Sequence, residues 1–162
     1  MINICMNNVL IRKANKDDLV GILDLNFALF KKEFEEFDDT LNIKWAHSKA
    51  GREYFSKRIS GIHSFVAVAV SNNAIVGYIC GGLHDSPIRA DKNAELENMM
   101  VTDRLRGQNI GSRLVKEFFK WCKSEGMANV LVTASSGNLP GIRFYKKFGF
   151  NDLEVNLRKK LK

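Results

Sequence analysis

Cysteine, proline and long apolar runs are scarce in this sequence, and each shortage excludes a class of protein. The 162 residues include 3 cysteines and 2 prolines. Because Cys5, Cys80 and Cys122 are odd in number and widely spaced, they predict neither a disulfide framework nor a zinc site. No apolar run approaches the roughly 20 residues that cross a bilayer, so no membrane partner is expected. We therefore expect a protein of the reducing cytoplasm that binds no metal, with Cys80 and Cys122 in its core.

The chain length, the N-terminal residues and the net charge narrow the class of protein further. Met1–Val9 lacks the basic cluster and apolar core of a secretion signal, which agrees with a cytoplasmic location. With 162 residues and 45% hydrophobic content, the chain can bury one substantial core, and we expect a single domain over residues 1–162. A net charge of +7 raises the question of whether the protein binds nucleic acid. There is no basic stripe interleaved with aromatics and no helix-turn-helix pattern, so no nucleic-acid partner is expected.

Alternating strand and helix signals predict an α/β fold of the α+β kind, a mixed central sheet flanked by helices. Asn72-Asn73 between two apolar runs predicts a hairpin, and Asn15 with Asp18 predicts a helix N-cap. The predicted strands are residues 9–14, 65–70, 75–81, 94–101, 130–134 and 150–157. The predicted helices are residues 15–30, 48–60, 112–125 and 140–149, and residues 33–44 are expected to be irregular.

The residues Arg106 to Gly111 stand between an apolar strand and an amphipathic helix. Gly107 and Gly111 let the main chain approach a ligand closely, because no Cβ stands in the way. The helix that follows offers unpaired amides and the positive end of its dipole to the same anion. The hexamer therefore predicts a phosphate-binding turn, although glycines at such a position also serve the turn itself.

A second motif occupies residues 138–150. Asn138 stands seven residues before Tyr145, and Gly149-Phe150 follow. In this order and spacing, the turn and this motif resemble the GNAT superfamily of acetyl-CoA-dependent N-acetyltransferases, over roughly residues 64–157. The resemblance implies a GNAT-like acyltransferase fold, acetyltransferase activity and acetyl-CoA as the cosubstrate.

The match to the family's pyrophosphate loop, Gln/Arg-x-x-Gly-x-Gly/Ala, has one departure. Arg106 and Gly111 fit the pattern, while Asn109 replaces its first glycine. Asn is the residue other than glycine that best tolerates a left-handed backbone, so the loop can still form. The resemblance implies that the main chain of the preceding strand polarises the acetyl carbonyl and that Asn138 helps to hold the pantetheine arm; otherwise Asn138 is a loop residue or a helix cap. The cofactor-binding residues so implied are Met99, Met100, Val101, Arg106, Gly107, Gln108, Asn109, Ile110, Gly111, Ser112 and Asn138.

The resemblance also implies two catalytic side chains for a direct attack of the amine on the thioester. Tyr145 is implied as the acid that protonates the leaving thiolate. The segment Leu96–Val101 resembles the corresponding strand of spermidine/spermine N-acetyltransferases, in which a Glu helps to deprotonate the ammonium, directly or through water. Glu97 is therefore the candidate base; a buried carboxylate in a sheet must be paired, near a cleft or functional.

Alternation along this strand sets the expected surroundings of Glu97. A period of two places Glu97 on one face with Glu95 and Met99, and Asn98 on the other face, where Asn98 is a candidate for lining the acceptor site. The histidines are alternatives for acid or base work, and among them His84 stands at the end of a strand and faces the loop before Glu95.

The acceptor is expected near the acidic stretch between the first two predicted helices. Glu35, Glu36 and Phe37 are the candidate acceptor-binding residues, since carboxylates draw a cationic small-molecule amine such as a polyamine or aminoglycoside. The alternative is a solvated acidic loop whose aromatics cap the core. Two further function classes stay open: a protein or peptide N-acetyltransferase, and a non-catalytic acyl-CoA-binding module. A homodimer also stays open, because many relatives are dimers.

Overall fold

The computed structural model describes residues 9–161. Its strands are β1 (Leu10–Lys13), β2 (Ser64–Ser71), β3 (Ala74–His84), β4 (Asn93–Val101) and β5 (Asn129–Val132). Its helices are α1 (Leu19–Glu36), α2 (Lys49–Ser60), α3 (Ile110–Ser124) and α4 (Leu139–Lys146). The predictions for Cys5 and for the first eight residues lie outside the described part of the chain.

The strands form one sheet in the order β1-β2-β3-β4-β5, and helices cover both of its faces. Neighbouring strands from β1 to β4 are antiparallel, whereas β4 and β5 are parallel and are connected through α3. The core on one face includes Leu114 and Phe118 of α3, and the core on the other includes Ile22 of α1 and Phe55 of α2. The predicted mixed α/β fold is confirmed. No helix within residues 9–161 is both long and apolar enough to cross a bilayer.

The local turn and cap signals form as the sequence predicts. Asn72 and Asn73 have φ values of 51° and 60°, so both central residues of the β2–β3 hairpin are left-handed, as a type I′ turn requires. The Asn15 side chain accepts from the Asp17 amide, and the Asp18 carboxylate accepts from the Asn15 amide 2.8 Å away. This box opens a short 3-10 turn, and α1 begins directly after it at Leu19.

The prediction that residues 33–44 are irregular is wrong at its start, because α1 continues to Glu36. Its last turns carry two exposed pairs at i, i+4 spacing, Lys31–Glu35 at 3.9 Å and Lys32–Glu36 at 3.8 Å. Such pairs stabilise a helix in water, so charged residues here extend the helix instead of ending it.

The predicted strand over residues 150–157 is also wrong, since residues 150–161 form no helix or strand. Residues 151–161 are all exposed, and β5 is the last strand on this side of the sheet within the described residues. Alternating apolar residues form a strand only when a neighbouring strand pairs with their backbone, and here no such partner lies beside them.

Candidate active site

The pairing between the parallel strands β4 and β5 ends halfway along β4. They pair from Asn93 to Leu96, whereas β4 continues to Val101. Within the described residues, the main chain of residues 97–101 therefore has no strand on its β5 side. Unpaired peptide groups along a strand edge can hydrogen-bond a linear ligand, and Met99, Met100 and Val101 lie in this stretch.

The loop at residues 106–111 has the backbone geometry that anion binding needs. Gly107 and Asn109 are left-handed, with φ values of 76° and 65°, so Asn109 takes the conformation that a glycine would have supplied. The Asn109 side chain does not cap α3, and the first amide bonded within the helix is that of Arg113 to the Asn109 carbonyl. The amides of residues 110–112 thus lack intrahelical acceptors and are free to meet an anion.

Arg106, the first residue of the loop motif, folds back onto the end of β4. Its Nε donates to the Val101 carbonyl at 3.1 Å, and its Nη2 lies 2.7 Å from Asp103 Oδ1. These contacts brace the loop against the strand. A direct contact between Arg106 and a cofactor stays a prediction.

A β-bulge in β4 changes the expected surroundings of Glu97. Cys80 of β3 pairs with Asn98 and Gly81 pairs with Leu96, so Glu97 is an extra residue with no partner on β3. The alternation therefore shifts by one position. Glu97 and Asn98 both face α1 and α2, and the prediction of opposite faces is wrong because it assumed a regular ladder.

Glu97 is half-buried and is held by two side chains of α2. Tyr54 donates its hydroxyl to Oε2, and Arg58 donates to Oε1. The Glu97 side chain is 14% exposed, and the buried Cys80 thiol lies 3.9 Å from Oε2. The carboxylate is thus anchored at the point where β4 loses its partner strand.

Burial and hydrogen bonding act on Glu97 in opposite directions. Burial, the largest effect, raises the pKa of Glu97, and the nearby Glu95 carboxylate raises it further. The Tyr54 hydrogen bond and the Arg58 charge lower the pKa of Glu97, but they do not offset burial, so the net pKa lies above the ordinary glutamate value. A raised carboxyl pKa makes a stronger base, which suits proton abstraction near neutral pH.

Asn98 continues this polar cluster toward α1. Its Nδ2 donates to the Tyr54 hydroxyl at 3.2 Å, and its Oδ1 accepts from Asn26 at 3.2 Å. Asn26 is fully buried, also donates to Tyr78 at 2.9 Å, and leaves its own Oδ1 without a partner. The cluster places one unsatisfied acceptor and one carboxylate on the same side of the sheet.

Tyr145 lies on α4 among aromatic rings. Its ring centroid is 5.4 Å from that of Phe144 and 5.6 Å from that of Phe150. Burial, with a smaller effect of the Glu33 carboxylate, raises the pKa of Tyr145 to about 12. Its hydroxyl therefore stays protonated at neutral pH, and no hydrogen bond engages it among residues 9–161.

Asn138 begins α4, with its Oδ1 accepting from the Gly141 amide at 3.0 Å. This confirms the helix-cap alternative and leaves Nδ2 available. A contact between Asn138 and a pantetheine arm stays a prediction.

The three acceptor candidates of the acidic stretch, Glu35, Glu36 and Phe37, do not lie together. Glu35 and Glu36 are exposed and paired along the last turns of α1, whereas Phe37 follows the helix and packs against the loop before α4, where a Cβ on Gly137 would lie 3.1 Å from the Phe37 ring. Glu33 of the same acidic stretch is half-buried, and burial followed by the Asp38 charge raises its pKa. Glu33 is thus the acidic residue whose charge acts on Tyr145.

The other titratable side chains that the sequence singles out are His84, Cys80 and Cys122. His84 Nδ1 lies 2.9 Å from Glu95 Oε2 across the β3–β4 pair. Cys80 and Cys122 are free and buried, and burial raises the pKa of both thiols, that of Cys122 to about 12. Both therefore remain uncharged thiols, in keeping with a core role. Within residues 9–161, no three His, Cys, Asp or Glu side chains are grouped to hold a metal ion.

The sequence interpretation missed Tyr54, Arg58 and Asn26. Tyr54 and Arg58 stand at i, i+4 on α2 and so share one face, which is the signal that was available. Asn26, placed in the middle of the apolar α1, is a buried amide and needs polar partners for that reason.

The chain belongs to the acetyltransferase (GNAT) family, whose model matches residues 21–150. This confirms the family that the two motifs predict. The match contains the split between β4 and β5, the loop at residues 106–111 and the polar cluster around Glu97.

In two curated relatives, the match covers a smaller share of the relative than of this chain. The chain is 30% identical over 146 residues to an uncharacterised N-acetyltransferase of Methanocaldococcus jannaschii, covering 90% of this chain and 62% of that protein. It is 28% identical over 83 residues to N-acetyltransferase 8B of Homo sapiens, covering 51% of this chain and 37% of that protein. The chain thus spans less than two thirds of the length of these relatives.

Solved structures share the fold at low sequence identity. A mutant of the BH1408 protein from Bacillus halodurans superposes with a TM-score of 0.81 and 19% identity, covering 94% of this chain and 99% of that chain. The aminoglycoside N-acetyltransferase AAC(6')-Iy in complex with CoA gives a TM-score of 0.74 and 18% identity, covering 95% of both chains. These likenesses concern the fold alone.

Proposed function

We propose that this protein transfers the acetyl group of acetyl-CoA to a primary amine of a cationic small molecule. The amine nitrogen attacks the thioester carbon directly, so a C–N bond forms and the C–S bond breaks. Glu97 takes the proton that the ammonium loses, and Tyr145 gives its proton to the leaving CoA thiolate. The observation that carries this proposal is a half-buried carboxylate anchored where β4 loses its partner strand.

The cofactor would lie along the free edge of β4 and across the N-terminus of α3. Acetyl-CoA carries a pyrophosphate, and the unpaired amides of residues 110–112 suit that group. Peptide groups of residues 99–101 suit the amides of a pantetheine arm and a developing oxyanion. Bound acetyl-CoA supplies the activated acetyl group.

The protonation states of the two side chains fit their proposed roles. Glu97 has a raised pKa, which strengthens it as a base, and Tyr145, with a pKa of about 12, holds its proton at neutral pH. Protons then pass to and from solvent to restore both groups.

The acceptor class rests on charge and on the resemblance of the β4 segment. Glu33, Glu35 and Glu36 place carboxylates at the end of α1, on the side of the sheet that Glu97 faces. The segment Leu96–Val101 resembles that of spermidine/spermine N-acetyltransferases, and two neighbours in fold bear aminoglycoside acetyltransferase names. A polyamine or an aminoglycoside is therefore the proposed acceptor.

One observation favours a second candidate function, a non-catalytic acyl-CoA-binding module. Both oxygens of Glu97 are engaged by α2 side chains, as in a structural ion pair. In that case the loop at residues 106–111 would still bind acyl-CoA, while Glu97 and Tyr145 would serve the fold only.

The deciding experiment measures acetyl-CoA-dependent release of free thiol with a panel of polyamines, aminoglycosides, amino acids and short peptides. Wild type should turn over a cationic amine. Glu97→Gln and Tyr145→Phe should each lose about 10²-fold or more in kcat/KM, the typical range for a general base or acid. Both variants should keep acetyl-CoA affinity by calorimetry. Glu53→Gln, which changes an exposed carboxylate on α2, is the matched control and should behave as wild type.

Two outcomes would redirect the assignment. Turnover of peptides alone would favour a protein or peptide acceptor. Acetyl-CoA binding without turnover across the whole panel would favour the binding module.

The acceptor class has its own test. Charge reversal at Glu35 and Glu36 should raise the KM for a cationic amine while leaving the affinity for acetyl-CoA unchanged, because these residues lie on α1 and not in the anion-binding loop. Glu125→Lys, just after α3, is a control with the same charge change as either single reversal. An unchanged KM would remove Glu35 and Glu36 from the acceptor site.

A further inference from the structure

Asn26 is a buried amide in the apolar core that takes no part in the proposed proton transfers. It lies in α1 among Ile22, Leu23 and Leu25, and it is fully buried. Its Oδ1 has no hydrogen-bond partner within residues 9–161. An unpaired buried acceptor is unfavourable, so an apolar side chain would suit this position better than an amide does. The amide therefore needs a reason other than packing.

The donor side of the Asn26 amide, in contrast, is fully used. Nδ2 carries two hydrogens, and it lies 2.9 Å from the Tyr78 hydroxyl oxygen and 3.2 Å from Asn98 Oδ1. Since the oxygen side has no partner, these two hydrogen bonds fix which way the amide is turned. Asn26 therefore presents a donor, and not an acceptor, to Asn98.

Asn98 passes this orientation on to Tyr54. An amide accepts at its oxygen and donates at its nitrogen, so Asn98, which accepts from Asn26, directs its Nδ2 at the Tyr54 hydroxyl oxygen 3.2 Å away. A hydroxyl has one proton, and because the Tyr54 oxygen accepts from Asn98, that proton is donated to Glu97 Oε2. One continuous sequence of donors thus leads from Asn26 to the Glu97 carboxylate.

We propose that Asn26 is a positioning residue for Glu97 and acts on it through Asn98 and Tyr54. Without Asn26, the Asn98 amide can turn over and present Oδ1 to Tyr54, whose single proton is then shared between Asn98 and the carboxylate. Hydrogen bonds in sequence strengthen one another in a low dielectric, so the loss of the first donor weakens the last one. The inference rests on the proposed function in one respect, that Glu97 is the base.

Asn26 has no charge and makes no hydrogen bond to Glu97. The charged and titratable groups that do face Glu97 come from α2, β3 and β4, and they are Tyr54, Arg58, Cys80 and Glu95. A change at Asn26 leaves all of them in place. Its effect on the pKa of Glu97 must therefore pass through Tyr54, and removal of the Tyr54 hydroxyl should abolish that effect.

The test measures the pKa of Glu97 by NMR of ¹³C-labelled glutamate carboxyl groups in full-length variants, with the Glu97 signal identified by its loss in Glu97→Gln. Asn26→Leu should raise this pKa by about half a unit to one unit, the size expected for the loss of one neutral hydrogen bond. In the Tyr54→Phe background, Asn26→Leu should cause no further rise. Tyr78→Phe is the matched control, because it removes the other partner of Asn26 and keeps the hydrogen bond to Asn98, so the pKa should not change.

Two outcomes would overturn the proposal. Equal rises of the pKa with and without the Tyr54 hydroxyl would show that Asn26 acts on Glu97 through the packing of α1. An unchanged pKa in Asn26→Leu would show that Asn98 keeps its orientation without Asn26. Asn26→Ala, which leaves space in place of the side chain, gives the same comparison if Asn26→Leu does not fold.

Turnover separates this proposal from the assignment of Glu97 as the base. In Asn26→Leu, the acidic limb of kcat/KM against pH should move with the pKa measured by NMR, in assays with whichever cationic amine of the panel is turned over fastest. A limb that stays in place while the pKa rises would support the positioning of Glu97 by Asn26 and would remove Glu97 as the base. The two hypotheses therefore fail separately.

Discussion

Removal of the Tyr54 hydroxyl should make Glu97 harder to ionise. Phe in place of Tyr54 keeps the ring, which packs on Phe55 at 4.9 Å and lies 5.4 Å below the Arg58 guanidinium. The change therefore removes one hydrogen bond to the Glu97 carboxylate and leaves its burial and the Arg58 charge in place. Since that hydrogen bond lowers the pKa of Glu97, its loss should raise the pKa.

The size of the shift follows from the strength of one charged hydrogen bond. Such a bond contributes about 1.5–3 kcal/mol, and about 1.4 kcal/mol corresponds to one pKa unit, so the pKa of Glu97 should rise by about one to two units. A base works only when it is deprotonated. The acidic limb of kcat/KM against pH should therefore move to higher pH by the same amount, while the plateau above it stays within a few-fold of wild type.

A second variant, Glu95→Gln, should move the acidic limb of kcat/KM to lower pH. The Glu95 carboxylate raises the pKa of Glu97, so Glu95→Gln should lower that pKa, by less than about one unit because the two charges act through space. All proteins are assayed with one acceptor, so that titration of the amine itself is common to every profile. NMR of ¹³C-labelled glutamate carboxyl groups, with the Glu97 signal assigned from its loss in Glu97→Gln, measures the pKa without turnover.

An acidic limb that stays in place in Tyr54→Phe, while NMR shows the Glu97 pKa rising, would mean that Glu97 is not the base. A Glu97 pKa that does not move would mean that the Tyr54 contact does not govern it.

Substitutions at three further positions test the fold and the loop. Gly81→Ala should destabilise the protein by about 1–3 kcal/mol, seen as a lower urea midpoint, because a Cβ would press on the Glu95 carbonyl. Asp18→Asn should remove about 2 kcal/mol at pH 7 by breaking the paired hydrogen bonds from Arg12 at 2.6 and 2.8 Å. Asn109→Ala should weaken acetyl-CoA binding and reduce stability by about 1 kcal/mol, whereas Asn109→Gly should retain both, because φ is 65° at this position.

Each of these has an outcome that counts against it. The Asp18 carboxyl has a lowered pKa, so its contribution is present above the unfolded value near 4 and is lost as pH falls through the folded value. The difference between wild type and Asp18→Asn must therefore shrink on acidification, and a constant difference would contradict the linkage. Equal acetyl-CoA affinity in Asn109→Ala and Asn109→Gly would show that binding does not depend on the left-handed turn. An unchanged urea midpoint in Gly81→Ala would show that the sheet yields at that point.

Features that depend on a few neighbouring residues could be predicted from the sequence. The Asn72-Asn73 turn, the Asn15–Asp18 box and the left-handed Asn109 each follow from the conformational preferences of the residues themselves. The family motifs are local for the same reason, because an anion-binding loop is built from consecutive amides.

Features that depend on distant pairing could not be predicted in the same way. Tyr54 and Glu97 are 43 positions apart, and only the packing of α2 on the sheet brings them together. Residues 150–157 alternate as a strand does, but alternation describes the faces of a strand and does not supply the neighbour that pairs with it. The bulge at Glu97 likewise arises from the register between two strands, which a period of two within one strand cannot reveal.

The bulge also explains how one sheet serves both the fold and the proposed chemistry. Gly81 faces it from β3, and a Cβ there would lie 2.7 Å from the Phe118 ring as well as against the Glu95 carbonyl, so only glycine fits this approach. Without the extra residue, regular alternation would point Asn98 toward α3 and leave Tyr54 with one partner. With it, Glu97 and Asn98 share the Tyr54 hydroxyl, which donates to the carboxylate and accepts from the amide. The direction of that donated proton is therefore fixed by Asn98, and the pKa of Glu97 depends on a register shift that Gly81 makes sterically possible.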